Sequence, residues 1–241
     1  LNIPHRGSIP LSGYIPAEYF LDGFNLNPEC NRGVAAYCSI NERKCILSNG
    51  AILKLTVIKS LEDLEKIASE EVEGVVYVMD NSFIYGLKKQ KGFMLTEYLR
   101  EIGVREKSIV ISGLHVVASW EFTILRDMEW GYVYLPIDAG FNGHFVPLYE
   151  LWDNGVSIAL GSGWLDAQYN TCDYRGVVWS AVLNQYHVLR DEKSLLGVLQ
   201  AAVGALHVYG IDDTPVNLLE GLTPRKALRI LYSYARAASK S

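Results

Sequence analysis

From Ser60 onward the chain alternates between two rhythms of apolar and polar positions. Short continuous apolar runs occur at Gly74–Met79, Ser108–Leu114, Tyr132–Ile137 and Val156–Leu160, the third ended by Pro136 and Asp138. Between them the apolar residues fall at helical spacing. Leu61, Leu64, Ile67 and Ala68 predict a helix to about Glu71, opened by Ser60 as N-cap with Asp63 in the acidic position of a capping box. Thr96–Ile102 reads as a helix stopped by Gly103, Ala118–Met128 as another, and Pro147–Asp153 as a third stopped by Asn154-Gly155. Tyr174–Val188 and Ser194–Val208 are longer helical stretches. Strands apolar on both faces, alternating with helices, are the pattern of βα units on a parallel sheet.

Upstream of Ser60 the pattern is different. Residues 1–33 are rich in Pro, Gly, Asn and Tyr and predict extended chain with one short helical stretch around Pro16–Leu21. Gly33–Ile40 is a strand-length apolar run. Ser48-Asn49-Gly50 sits between the apolar runs Cys45–Leu47 and Ala51–Ile58, a strong hairpin signal. The chain therefore divides into residues 1–59, an irregular segment carrying a β-hairpin, and residues 60–241, a βα-repeat barrel region, within one globular domain. Its 241 residues lie near the ~250 of a (β/α)8 barrel.

Composition narrows the function. Hydrophobic residues are 49% and charged residues 20%, which excludes a disordered chain. Lys plus Arg is 22 and Asp plus Glu is 27, giving a net charge of −5 and arguing against a nucleic-acid partner. No apolar run reaches the ~18 residues of a membrane span. Leu1–Arg6 lacks the basic and apolar regions of a secretory signal, so a cytoplasmic location is expected. Cys30, Cys38, Cys45 and Cys172 form no C-x-x-C pair. They are expected to be buried small apolar residues, the alternative being a disulfide among the first three in an oxidising compartment or a hyperthermophile.

In parallel α/β folds function sits past the carboxyl ends of the strands. Around those ends, Leu95–Gly103 followed by Ser108–His115, then Pro136, Pro147–Val156 and Ile158–Gly163, resemble the metal-dependent amidohydrolase superfamily, in particular its cytosine-deaminase-like and chlorohydrolase-like branch. The resemblance covers residues 74–210 and implies an α/β fold, a (β/α)8-like TIM barrel. It further implies one or two divalent metals held by a His-any-His pair on the first strand, histidines ending the fifth and sixth strands and an aspartate ending the eighth. A glutamate beside the fifth-strand histidine would shuttle protons, and the metal would activate water against a carbon bonded to nitrogen or halogen.

Matched position by position, the ligands are missing. No His-any-His occurs, Val76–Asn81 has neither histidine nor glutamate, the sixth-strand histidine falls on Ser112, and the eighth-strand aspartate falls on Gly163. His115 matches a neighbouring position that is not a usual ligand. Residues 74–210 account for four βα units, and four more would need about 120 residues where residues 1–73 remain. The N-terminal half must therefore be abbreviated or rearranged.

These readings imply a barrel that has lost its metal site, needs no cofactor, and acts as a non-catalytic binding or structural subunit. Open apolar strand edges would place it in a homo- or hetero-oligomer. The alternative is a hydrolase or deaminase of small-molecule C–N bonds built from relocated residues: His115 and His144 as base or ligand, Asp138 and Asp166 as orienters or ligands, and Ser112 as a nucleophile candidate, with zinc bound only in this case. Of the remaining histidines, His187 and His207 are expected in structural or surface roles, and His5 could serve as a ligand only if the N-terminal stretch folds over the barrel mouth. Gly161-Ser162-Gly163 lacks the G-x-G-x-x-G pattern for a nucleotide. A small-molecule sensor using a pocket at the strand ends is a third reading.

Overall fold

The structure, a computed structural model, describes residues 15, 17–28, 30, 33–68, 72–104, 109–115, 118–143, 145–163, 172–188, 190–212 and 222–236. Seven strands form one mixed sheet in sequence order. β1 (Ala36–Ser39), β2 (Lys44–Leu47) and β3 (Ile52–Ile58) make an antiparallel meander, with the Asn49-Gly50 turn where the sequence places it. β3 then pairs in parallel with β4 (Gly74–Val78), and β5 (Ile109–Ser112), β6 (Gly131–Tyr134) and β7 (Ile158–Leu160) follow in parallel.

Ten α-helices are described: α1 (Leu61–Ile67), α2 (Ser82–Lys91), α3 (Leu95–Glu101), α4 (Ser119–Asp127), α5 (Pro136–Asn142), α6 (Leu148–Asp153), α7 (Tyr174–Leu183), α8 (Ser194–Val203), α9 (Ala205–Val208) and α10 (Pro224–Arg236). The Ser60 side chain accepts the Asp63 N–H, as the capping pattern predicts, while Asp63 accepts the Ser60 hydroxyl and the N–H of Lys59, one residue ahead of the cap. Pro136 does end β6, but it also opens α5, because its missing N–H costs nothing at a helix start. The long Tyr174 helix passes into a π-helical turn at Asn184–Val188. The Ser194 helix breaks at Gly204, where an added Cβ would lie 2.1 Å from the Ile158 carbonyl oxygen of β7.

Alternation along the parallel strands divides the core. Val76, Val78, Ile109, Ile111, Tyr132, Tyr134, Ile158 and Leu160 pack against the helices. Leu55, Val75, Tyr77, Val110, Val133 and Ala159 point the other way and gather with Phe24 and Leu135.

Residues 22–25 join the two edges of the sheet, a role that nothing in their irregular sequence foretells. The Asn25 N–H donates to the Ala36 carbonyl (3.0 Å) and the Cys38 N–H to the Asn25 carbonyl (2.8 Å). On the other side the Gly23 N–H donates to Leu160 (2.8 Å) and the Gly163 N–H to Phe24 (3.0 Å). The segment thus runs parallel to both β1 and the end of β7. The edges expected to be open, and to call for an oligomer, are joined by the chain itself.

The cysteines depart from the first expectation and meet the alternative in part, since one bond does join two of the first three. None of the four is a free buried thiol. Cys38 bonds Cys45 across β1 and β2, and Cys30 bonds Cys172. The second bond ties the chain just beyond the closing segment to the chain ahead of α7.

Candidate functional site at the strand ends

Two neighbouring environments lie at the carboxyl ends of β4–β7, where function is expected. The first is the interior. The Tyr77 ring stacks obliquely on Phe24 with centroids 4.9 Å apart. Leu135, just past β6, closes on the glycines just past β7. A Cβ added at Gly161 would sit 2.9 Å from both Leu135 and Phe24, and one at Gly163 3.0 Å from Leu135. Such distances leave no room for a side chain without moving a packed neighbour. Ser112 is fully buried at the end of β5, and its hydroxyl has no hydrogen-bond partner among the described residues. Among the described residues no base is placed to activate it as a nucleophile.

The second environment is a narrow cleft of about 10 Å³, room for about one water, lined by Asn81, Gly113, His115, Tyr134 and Asp138 among others. Asn81 organises it: its amide donates to the Gly113 carbonyl (2.8 Å), and its side-chain oxygen accepts the His115 N–H (2.9 Å). Asp138, in the first turn of α5, accepts from Asn142 (3.1 Å). The Tyr134 hydroxyl accepts from Asn184 of the π turn (3.4 Å), whose amide also donates to the Pro136 carbonyl (2.6 Å). Burial pushes the Tyr77 and Tyr134 phenols well above the usual range, with the nearby Asp138 charge adding to it, so both are neutral donors at neutral pH.

Of the site residues expected from sequence, His115 and Asp138 come together in this cleft, while Ser112 faces the apolar interior. His144, Asp166 and His5 lie outside the described residues, as do the side-chain surroundings of His187. His207 lies at the opposite, amino-terminal end of the strands, beside Gly131 and Ser157. Sequence reasoning missed Asn81 and Asn184. Asn81 falls within the strand-end loop Asp80-Asn81-Ser82, a signal that was available; Asn184 sits mid-helix and gave none.

A catalytic divalent metal needs about three converging protein ligands. The described residues do not fit one. The interior positions present Phe24, Tyr77, Ser112 and Leu135, and no three His, Cys, Asp or Glu residues come together among the described residues.

No family model matches the sequence, and no curated protein matches it. The fold does have solved counterparts. It is similar to a zinc-bound adenosine deaminase from Xanthomonas campestris (TM-score 0.54, 16% identity, covering 75% of this chain and 46% of that one). It is similar to an amidohydrolase from Brucella melitensis (TM-score 0.53, 11% identity, 75% and 46% covered). A variant of atrazine chlorohydrolase from Arthrobacter aurescens, solved with zinc and atraton, matches at TM-score 0.51 and 15% identity, with 66% and 38% covered. The class of fold is thus α/β and amidohydrolase-like, and the chain spans less than half the length of these structures.

Proposed function

We propose that this chain is an amidohydrolase-like barrel that does not carry the metal chemistry of the proteins it resembles and acts as a binding or structural subunit. The filled mouth carries the reading. Phe24, brought in by the closing segment, meets Tyr77 and Leu135 where relatives of this fold would need open space and ligands. The Gly163 position, matched to the family's aspartate, is walled by Leu135. Elemental analysis after incubation with zinc and removal of the excess tests it, with ammonia release measured on C–N substrates. The reading expects well below one equivalent of metal and no turnover. Stoichiometric zinc, iron or manganese, lost on His115→Ala and accompanied by ammonia release, overturns it.

The meeting of His115 and Asp138 in one cleft favours a second reading, a C–N hydrolase in which Asp138 orients His115 as a base. The same experiment separates the two. As to location, the two disulfides favour an oxidising setting or a hyperthermophile interior over an ordinary reducing cytoplasm.

A further inference from the structure

The barrel wall has a lateral opening. β2 pairs with β3 only as far as Lys44 opposite Lys54, and the last bond of that edge is the Leu55 N–H to the Arg43 carbonyl (2.8 Å). β3 continues to Ile58 with β4 on its other side. A hollow of about 610 Å³ lies against this stretch, lined by Lys54 and Thr56 and also by Leu55 and Val57. Alternate residues of a strand face opposite sides of its sheet, so one hollow can touch both sets only by passing over a free strand edge. The hollow therefore runs from the outer face, beside α1, through the wall to Leu26 and Met79 near the interior.

Its charge is unlike that of the whole chain. Among the described residues that line it, Arg43, Lys54, Lys59 and Lys66 stand against one acid, Asp63, in a protein of net charge −5. The Asp63 carboxylate is already engaged by the Lys59 N–H (3.1 Å), the Ser60 hydroxyl (3.0 Å) and Lys66 (3.9 Å). Arg43 holds a left-handed backbone (φ 49°) that disfavours a side-chain-bearing residue. Glycine would be easier there, yet the position carries a guanidinium at the rim. Positive charge concentrated in a cleft with apolar walls raises the local concentration of anions.

We propose that this lateral cleft binds a small anionic molecule through carboxylate or phosphate groups, with its less polar part against Leu26, Val57 and Met79. The proposal rests on the reading of the chain as a binding barrel and moves its ligand away from the strand ends. The test is calorimetry on the full chain at constant ionic strength, with inorganic pyrophosphate and citrate as separate probes. Saturable binding of at least one is expected, the stronger probe identifying the anionic group. The pair of variants Arg43→Gly and Lys59→Gln should each weaken it, together by at least about tenfold. Arg43→Gly should leave the melting temperature unchanged or raised, because it relieves the backbone, and this separates lost binding from lost folding. No saturable binding of either probe, or binding indifferent to both variants, overturns the proposal. Metal analysis of the same preparation keeps the two readings apart: a stoichiometric metal with intact anion binding defeats the non-catalytic reading alone.

Discussion

The two halves of the sheet are held by different means. From β4 to β7, five-residue or shorter strands are buried throughout and sandwiched between helices and the interior cluster. Stability there comes from apolar area and close packing, as in any parallel βα array. From residue 22 to β3 there is no helix between strands. The hairpin's outer face leaves Ile46 and Ile52 exposed, and the region relies on two disulfides and a buried polar cluster. In that cluster Asp22 accepts N–H groups from Phe24 (3.1 Å) and Ser162 (2.9 Å) and the Asn25 amide (2.9 Å). Where packing against helices is unavailable, covalent and hydrogen-bonded ties do the holding.

That contrast can be broken at graded cost. The largest effect should come from Cys30→Ser with Cys172→Ser. The bond spans 142 residues, and the chain-entropy estimate for such a loop is about 5 kcal/mol. The Cys38–Cys45 bond spans 7 residues, and its removal should cost about half as much. Denaturant unfolding of the two double variants measures both; equal losses would mean that the long bond does not restrain the closing segment.

Asp22→Ala should follow at about 3 kcal/mol, because it leaves the Phe24 and Ser162 N–H groups and the Asn25 amide without their acceptor. In the helical half, Gly204→Ala should cost about 2 kcal/mol, since its Cβ would meet the Ile158 carbonyl, and reductant should not change that cost. A Gly204→Ala penalty that vanished on reduction would mean that the helical half, too, is held by the disulfides rather than by packing.

The smallest effect is on pH dependence. Burial raises the Asp22 pKa above its ordinary 3.8, partly offset by the hydrogen bonds from Ser162, Asn25 and Phe24. The native state therefore keeps this proton to higher pH than the unfolded chain does. Its contribution is most favourable below the unfolded value and declines as pH rises toward the folded value. Asp173 acts in the opposite sense: its hydrogen bond from Arg175 lowers its pKa, and that stabilisation is lost as pH falls. Comparing wild type with Asp22→Asn isolates the first term. Wild type should lose stability relative to the variant as pH rises from about 4, and a difference independent of pH would contradict the assignment.

The helical half was largely legible in the sequence because local and global signals agree there. Each continuous apolar run became a buried strand, and Ser60, Gly103 and Asn154-Gly155 bound their helices as capping rules predict. α2 escaped notice because its buried face is only Phe83, Ile84 and Leu87 amid lysines, too narrow a stripe to stand out. α5 was hidden by Pro136, read only as the end of a strand.

The hairpin was visible through Asn49-Gly50, but what its strands pair with was not. The closing role of Asp22–Asn25 depends on bonds to residues about 140 positions away, and no local pattern encodes such partners. The same distance hid the Cys30–Cys172 pairing. At the site, the resemblance raised only an expectation of which ligand positions had changed. It could not show that Phe24 and Leu135 fill the space, because Phe24 arrives from outside the region of resemblance.

The filled mouth depends on residues 22–25 being part of the sheet. Native-state hydrogen exchange on the oxidised protein reads this directly at the Gly23, Asn25 and Gly163 amides, which donate to Leu160, Ala36 and Phe24. If the segment closes the barrel and carries Phe24 into its mouth, these amides should exchange as slowly as those of β4 and β5, through global unfolding. Exchange at loop rates while β4 and β5 stay protected would mean that the ring is open and the mouth unfilled.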